Sequence, residues 1–192
     1  MNIQSNRHFL LQQGGIAMLL FFFMLLTRGG HAMTSVALPD ASLAVFLLGG
    51  MLLWRAGWFV LFFIIAAIID FGAAALDPYQ GFCLTDGYWG LILAYGAMWL
   101  GGRWLSKQPD AFSLVRYVPV TLVTTVMAFV ISTQTYYLFS GRFPNNGLHE
   151  TIQHGWNYLP VYLGYSMMYF AIVWAGVHLF RYIRAHRAKA NA

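Results

Sequence analysis

The chain has 192 residues, of which 59% are hydrophobic and only 9% charged, against roughly 25% charged in a soluble domain. That balance excludes a water-soluble globular protein and points to an integral membrane protein whose short connections leave no room for a separate soluble domain, so one domain is expected over 1–192. The net charge of +5 does not indicate nucleic acid, because the basic residues form no recognisable binding module and membrane topology accounts for them.

In chain order, apolar runs fall at about Phe9–Leu26, Ala41–Trp54, Trp58–Ala75, Tyr88–Leu100, Val118–Phe139 and Trp156–Phe180. They predict six transmembrane helices in an all-α bundle. The second and fourth runs are shorter than the roughly 20 residues a bilayer core asks for, so their ends should extend into flanking residues or the helices should tilt little. Breakers separate the runs: Arg28-Gly-Gly, Pro39-Asp40, Asp77-Pro78, Gly101-Gly102 and Pro144-Asn-Asn-Gly147. The first run, with Arg7 before it and Gly30 and Ala32 after it, has the outline of a secretory signal and is expected to be retained as a helix. Ala97 and Gly101 have the small-residue spacing that lets helices approach.

An even number of helices puts both termini on one side, and the positive-inside rule makes that side the cytoplasm. Arg7, Arg55, Arg103, Lys107, Arg116, Arg181, Arg184, Arg187 and Lys189 then lie inside, and only Arg28 and Arg142 outside. Asp40, Asp77, Asp86 and Glu150 take the outer side, and Asp110 the inner.

The only cysteine, Cys83, lies in the outer connection Asp77-Pro-Tyr-Gln-Gly-Phe-Cys-Leu-Thr-Asp-Gly-Tyr-Trp-Gly90. In an oxidising compartment an accessible thiol normally finds a disulfide partner, and here there is none. A small buried hydrophobe is one account of it. The other rests on its company: His31, His149, His154, Asp77 and Asp86, with Tyr79, Phe82, Tyr88 and Trp89, share the outer side. A soft sulfur ligand among polar groups and flat aromatic surface suits a metal-centred or large conjugated ligand. Trp89 also fits an interfacial belt. His149 and His154 are five apart, about 140° around a helix, which rules out the zincin motif with its spacing of four. Asp70, inside the third run near its outer end, faces either a cavity or a helix–helix hydrogen bond. No Gly-x-x-x-x-Gly-Lys-Ser/Thr loop for ATP and no Gly-x-Ser-x-Gly elbow occurs.

Gly81-Phe82-Cys83-Leu84-Thr85-Asp86-Gly87-Tyr88, with Asp70 upstream, resembles the corresponding part of the BtuM family, the solitary cobalamin-specific S-components of energy-coupling-factor transporters. The six-helix architecture is similar to theirs along the whole chain. The resemblance implies an S-component-like bundle in a bacterial plasma membrane, binding cobalamin at the extracytoplasmic face and mediating its uptake. It implies that Cys83 is the axial ligand of the corrinoid cobalt and promotes decyanation of cyanocobalamin. Asp70 and Tyr88 would be pocket residues, with Tyr79, Phe82, Asp86 and His31 near the ligand. No cofactor of the chain's own is implied; its partners would be cobalamin and membrane lipid. Coupling to a shared energising module usually goes with Ala-x-x-x-Ala on the first helix, but here Ala17 is followed four residues on by Phe21. The alternative from another class is a redox membrane protein binding haem or copper through Cys83 and outer-face histidines.

Overall fold

The computed structural model of the protein describes residues 3–28, 38–77, 81, 84–143, 149 and 152–190. Among these are α1 (Ile3–Arg28), α2 (Ser42–Leu52), α3 (Gly57–Leu76), α4 (Gly90–Ser106), α5 (Leu114–Phe139) and α6 (Leu159–Ala190), and no strand. Single 3-10 turns, Asp86–Trp89 and Gly155–Tyr158, lead into α4 and α6. Apolar segments of Leu10–Arg28, Gly57–Leu76, Leu114–Phe139 and Gly155–Lys189 are long enough to cross a bilayer. The chain is thus an all-helical, multi-pass membrane protein.

Hydrogen bonds at the two ends of the bundle fix the helix directions. Near the start of α1, Gln13 Nε2 donates to the Leu52 carbonyl (3.1 Å) and Gln13 Oε1 accepts from the Trp54 N–H (2.8 Å), where α2 ends. At the last residue of α1, Arg28 meets the start of α2, the second half of α3 and the first turns of α4. The Trp174 indole N–H donates to the Phe112 carbonyl (2.8 Å), which brings the second half of α6 to the Gln13 end. The start of α1 and the end of α6 therefore share that end.

Helix α2 departs from the expectation for a short span. Its 11 residues rise about 16 Å, roughly half a bilayer core, and it neither extends to Trp54 nor faces lipid. Ser42 through Met51 are all buried, as befits a helix apolar all round. It can stop early because its freed backbone groups find partners inside the protein: Gln13 takes Leu52 and Trp54, and Arg103 also donates to the Trp54 carbonyl. Irregular backbone at membrane depth is tolerated where protein surrounds it.

The α2–α4 crossing brings backbones into contact. A Cβ on Gly50 would overlap the Trp99 carbonyl, and one on Gly102 would overlap the Leu47 carbonyl. Such approach is how helices associate where lipid removes the hydrophobic driving force. Gly101 instead faces Thr124 of α5. Phe46 of α2 stacks on Tyr95 of α4 (centroids 4.2 Å, interplanar 8°) and meets Phe59 and Phe62 of α3 edge-on. Ala17 is buried, on the core face of α1.

Candidate functional site: a buried arginine clasp beside an aromatic cavity

A basic residue at a helix C-terminus is favoured by the helix dipole, and Arg28 ends α1. Its side chain is nonetheless only 7% exposed, so the guanidinium must be matched within the protein. Asp70 of α3 supplies a two-pronged partner, with Nε to Oδ1 at 2.7 Å and Nη2 to Oδ2 at 2.6 Å. The remaining prong, Nη1, donates to Tyr95 Oη (2.6 Å), Ser42 Oγ (2.6 Å) and Asp40 Oδ2 (3.3 Å). Ser42 passes its own hydroxyl proton to Asp40 Oδ1 (2.6 Å), and Asp40 also receives the Ser42 N–H (2.9 Å). Four helix ends are thereby tied to one cation. The planar fork of arginine suits this task, since it presents five donors in fixed directions.

Tyr88, in the 3-10 turn before α4, donates its hydroxyl to Asp70 Oδ2 (2.9 Å). The turn itself is shaped by Thr85, whose Oγ1 accepts from the Gly87 N–H (3.3 Å). Two glycines seat it on α5. A Cβ on Gly87 would overlap the Thr135 carbonyl, and one on Gly90 would overlap the Thr135 side chain.

Beyond Tyr88 lies a cavity of about 400 Å³. Thr85, Gly87, Tyr88 and Leu91 wall it from the turn and α4. Helix α5 contributes Phe129, Ser132, Thr133, Thr135, Tyr136 and Tyr137, and Phe143, Tyr158 and Tyr162 complete it. The rings support one another: Phe129 meets Tyr162 edge-on at 5.2 Å, and Phe143 lies 4.5 Å from Tyr137. Among the described residues, none that lines it carries a formal charge. Aromatic walls with a few hydroxyls are the usual make-up of a small-molecule pocket.

The residues expected at the site fare differently. Cys83, Phe82, Tyr79 and His31 lie outside the described residues. The connection re-enters at Leu84 and Thr85, and Thr85 lines the cavity. Tyr88 lines it too, while Asp70 serves the ion pair and touches the cavity only through Tyr88. Asp86 is exposed at the start of the turn and is not part of the lining. His149 and His154 are exposed. Trp89 is half exposed and packs on Phe139 (5.4 Å), in keeping with a belt residue. Among the described residues no three His, Cys, Asp or Glu side chains gather in a way that could hold a metal ion.

Sequence reasoning missed Arg28 as the partner of Asp70, along with Asp40, Ser42 and Tyr95. A signal existed: in an alternating bundle the ends of the first and third helices share a face, and the basic residue ending the first run is Arg28. The cavity wall from α5 left no periodic mark, because Ser132 to Tyr137 is a continuous stretch of hydroxyl-bearing and aromatic residues broken only by Gln134.

At the opposite end, Asp110 accepts from the Phe112 N–H (3.2 Å) and from Arg181 Nη1 (3.2 Å). These hold its carboxyl below the ordinary carboxylate range, the backbone donor first and Arg181 second. No protein-family model matches the sequence, and no curated protein matches it at a significant level.

Proposed function

We propose that this chain is a solitary S-component-like membrane protein that captures cobalamin, or a related corrinoid, and mediates its uptake. The observation that carries the reading is the ring-walled cavity, uncharged among its described residues, bounded by Thr85, two residues after Cys83, and by Tyr88. In this reading all six helices cross the bilayer, α2 as a short buried span, with both termini in the cytoplasm of a bacterial cell. Nine basic residues at the Gln13 end and its loops against Arg28 and Arg142 at the other support that orientation. The cavity then opens to the outside, where the vitamin is met.

Cys83 is the cobalt ligand in this proposal. A thiolate is a soft, strongly donating ligand, and a cationic metal centre favours its deprotonated form. Donation from one axial face weakens the bond on the opposite face. With cyanocobalamin the Co–S bond would form as the vitamin's own base leaves cobalt on that face, and the Co–CN bond on the opposite face would break, water taking the vacated position. The thiol proton departs with cyanide as hydrogen cyanide, and cobalt keeps its oxidation state. Tyr88 holds one wall, and the Arg28 clasp keeps Tyr88 in place through Asp70. Ala17 lies on the core side of α1 and Phe21 follows it, so uptake in this reading does not rest on an Ala-x-x-x-Ala face for an energising module.

The test is retention. Purified protein incubated with cyanocobalamin and passed through gel filtration should carry close to one corrinoid per chain. Elution of the protein without corrinoid would refute the reading and turn attention to haem and copper analysis.

A further inference from the structure

A second, smaller hollow of about 160 Å³ lies at the Gln13 end of the bundle, between α1 and the start of α3. Leu10 and Gln13 line it from α1, Trp54 and Arg55 from the connection after α2, and Gly57 and Trp58 from α3. Gln13 is held by its bonds to Leu52 and Trp54 (3.1 and 2.8 Å), so the polar wall is fixed. Arg55 is exposed, and among the described residues it has no hydrogen-bond or ion-pair partner. Arg103 lies over the Trp54 ring (5.9 Å) and donates to the Trp54 carbonyl, which sets a second cation against the same wall. The segments at this end supply almost nothing to neutralise them. The sequence before Leu10, the connections 53–56 and 107–113 and the stretch 184–192 contain one acid among them, Asp110, and it is engaged by Arg181 (3.2 Å).

Three features decide what such a hollow holds. Its volume is below the roughly 300 Å³ at which pockets for whole small molecules begin, so it seats a single group of a larger body. Trp54, 70% exposed, and the half-exposed Trp104 are of the kind that marks headgroup depth in a bilayer. From Trp58 an apolar strip of Leu61, Ile64 and Ile68, all exposed, runs along α3 toward the membrane interior and gives acyl chains a track. We infer that the hollow binds the headgroup phosphate of an anionic glycerophospholipid, with Arg55 as its main partner, Arg103 adding charge and the acyl chains lying on α3. Basic pockets between transmembrane helices take anionic headgroups in this way. A zwitterionic lipid brings an ammonium as well as its phosphate, and that ammonium meets two cations and, among the described residues, no carboxylate in the lining.

This site lies at the opposite end of the bundle from the corrinoid cavity, and its test involves no corrinoid. The full chain in detergent is titrated with phosphatidylglycerol and with phosphatidylcholine of the same acyl chains, and bound lipid is counted by mass spectrometry of the intact complex. Each basic residue near an anionic headgroup is worth about fivefold in affinity, so phosphatidylglycerol should bind about 25-fold tighter than phosphatidylcholine. Arg55→Gln should lose about fivefold for phosphatidylglycerol. Lys189→Gln, which removes a charge from the exposed end of α6, should lose less than about twofold. Excess inorganic phosphate should leave the bound lipid in place, and Arg55→Gln should melt with the wild type in lipid-free detergent. Equal affinities for the two lipids, or equal losses in the two variants, would overturn the site by reducing it to the general positive charge of this end. Displacement of lipid by inorganic phosphate would overturn the lipid as occupant, and a lowered melting temperature in Arg55→Gln would overturn the role of Arg55 by making it a support of the fold.

Discussion

Removing one half of the Arg28–Asp70 pair should cost far more than removing both. In Asp70→Asn the guanidinium stays in place, 7% exposed, and loses the partner of its two shortest carboxylate bonds (2.7 and 2.6 Å). Breaking a buried pair in this way typically costs about 3–5 kcal/mol. Asp40 remains at 3.3 Å, but it is half exposed and its attraction is weakened by solvent, so the loss should fall near the lower figure, about 3 kcal/mol. In the double variant Arg28→Met/Asp70→Leu no buried charge is stranded, and apolar replacement of a buried pair is often neutral or stabilising. The double variant should then unfold at a higher temperature than Asp70→Asn alone. Thermal unfolding in detergent, followed by tryptophan emission from the chain's seven tryptophans, reads the order. An Asp70→Asn variant as stable as wild type would refute the argument, as would a double variant less stable than either single one.

Four further outcomes follow from other positions. Gly102→Ala drives a methyl into the Leu47 carbonyl of α2 and should destabilise by about 1–3 kcal/mol. Gly96→Ala, where a methyl meets nothing within 4 Å, should raise stability by about 0.5–1 kcal/mol; both are read by the same melts. Gly87→Ala drives a methyl into the Thr135 carbonyl and should lower the melting temperature and also weaken cobalamin retention at least about tenfold, roughly 1.4 kcal/mol, when retention is measured well below the melt. Asp110, its carboxyl depressed in the folded state, contributes stability that is present above the ordinary carboxyl pKa of about 4 and lost as pH falls through the folded value. Wild type and Asp110→Asn should therefore converge in melting temperature as pH falls through the folded value, which lies below the ordinary carboxyl range.

The helical membrane character and the approximate position of each helix were legible in the sequence, because long apolar runs bounded by Gly, Pro and charges leave few other solutions. The ends shifted where polar residues could be accommodated: α1 runs on through Thr27 and Arg28, and α5 begins at Leu114, ahead of Arg116. The burial of α2 was not legible. Its run looks like any lipid-facing segment, and only its neighbours decide that it is surrounded. Asp70 announced itself as an ion in an apolar helix, but a single chain gives no pairing, so Arg28 was read by its charge as an outer-side residue rather than as a buried anchor. Tyr88, which the resemblance puts in the pocket, lines the cavity. The α5 contribution was invisible because Thr135 and Tyr137 matter through their position opposite the turn, a tertiary fact. Tyr79, Phe82, Cys83 and His31 fall outside the described residues, and their part in the account rests on the resemblance.

The central claim is ligation of cobalt by Cys83, and the visible absorption spectrum of protein-bound corrinoid tests it most directly. Wild type and Cys83→Ala are each incubated with cyanocobalamin, and free corrinoid is removed. The account predicts that corrinoid bound to the wild type loses the spectrum of the cyano form, and that corrinoid bound to Cys83→Ala keeps it. A wild-type complex with the spectrum of free cyanocobalamin, or the same altered spectrum in Cys83→Ala, would contradict it.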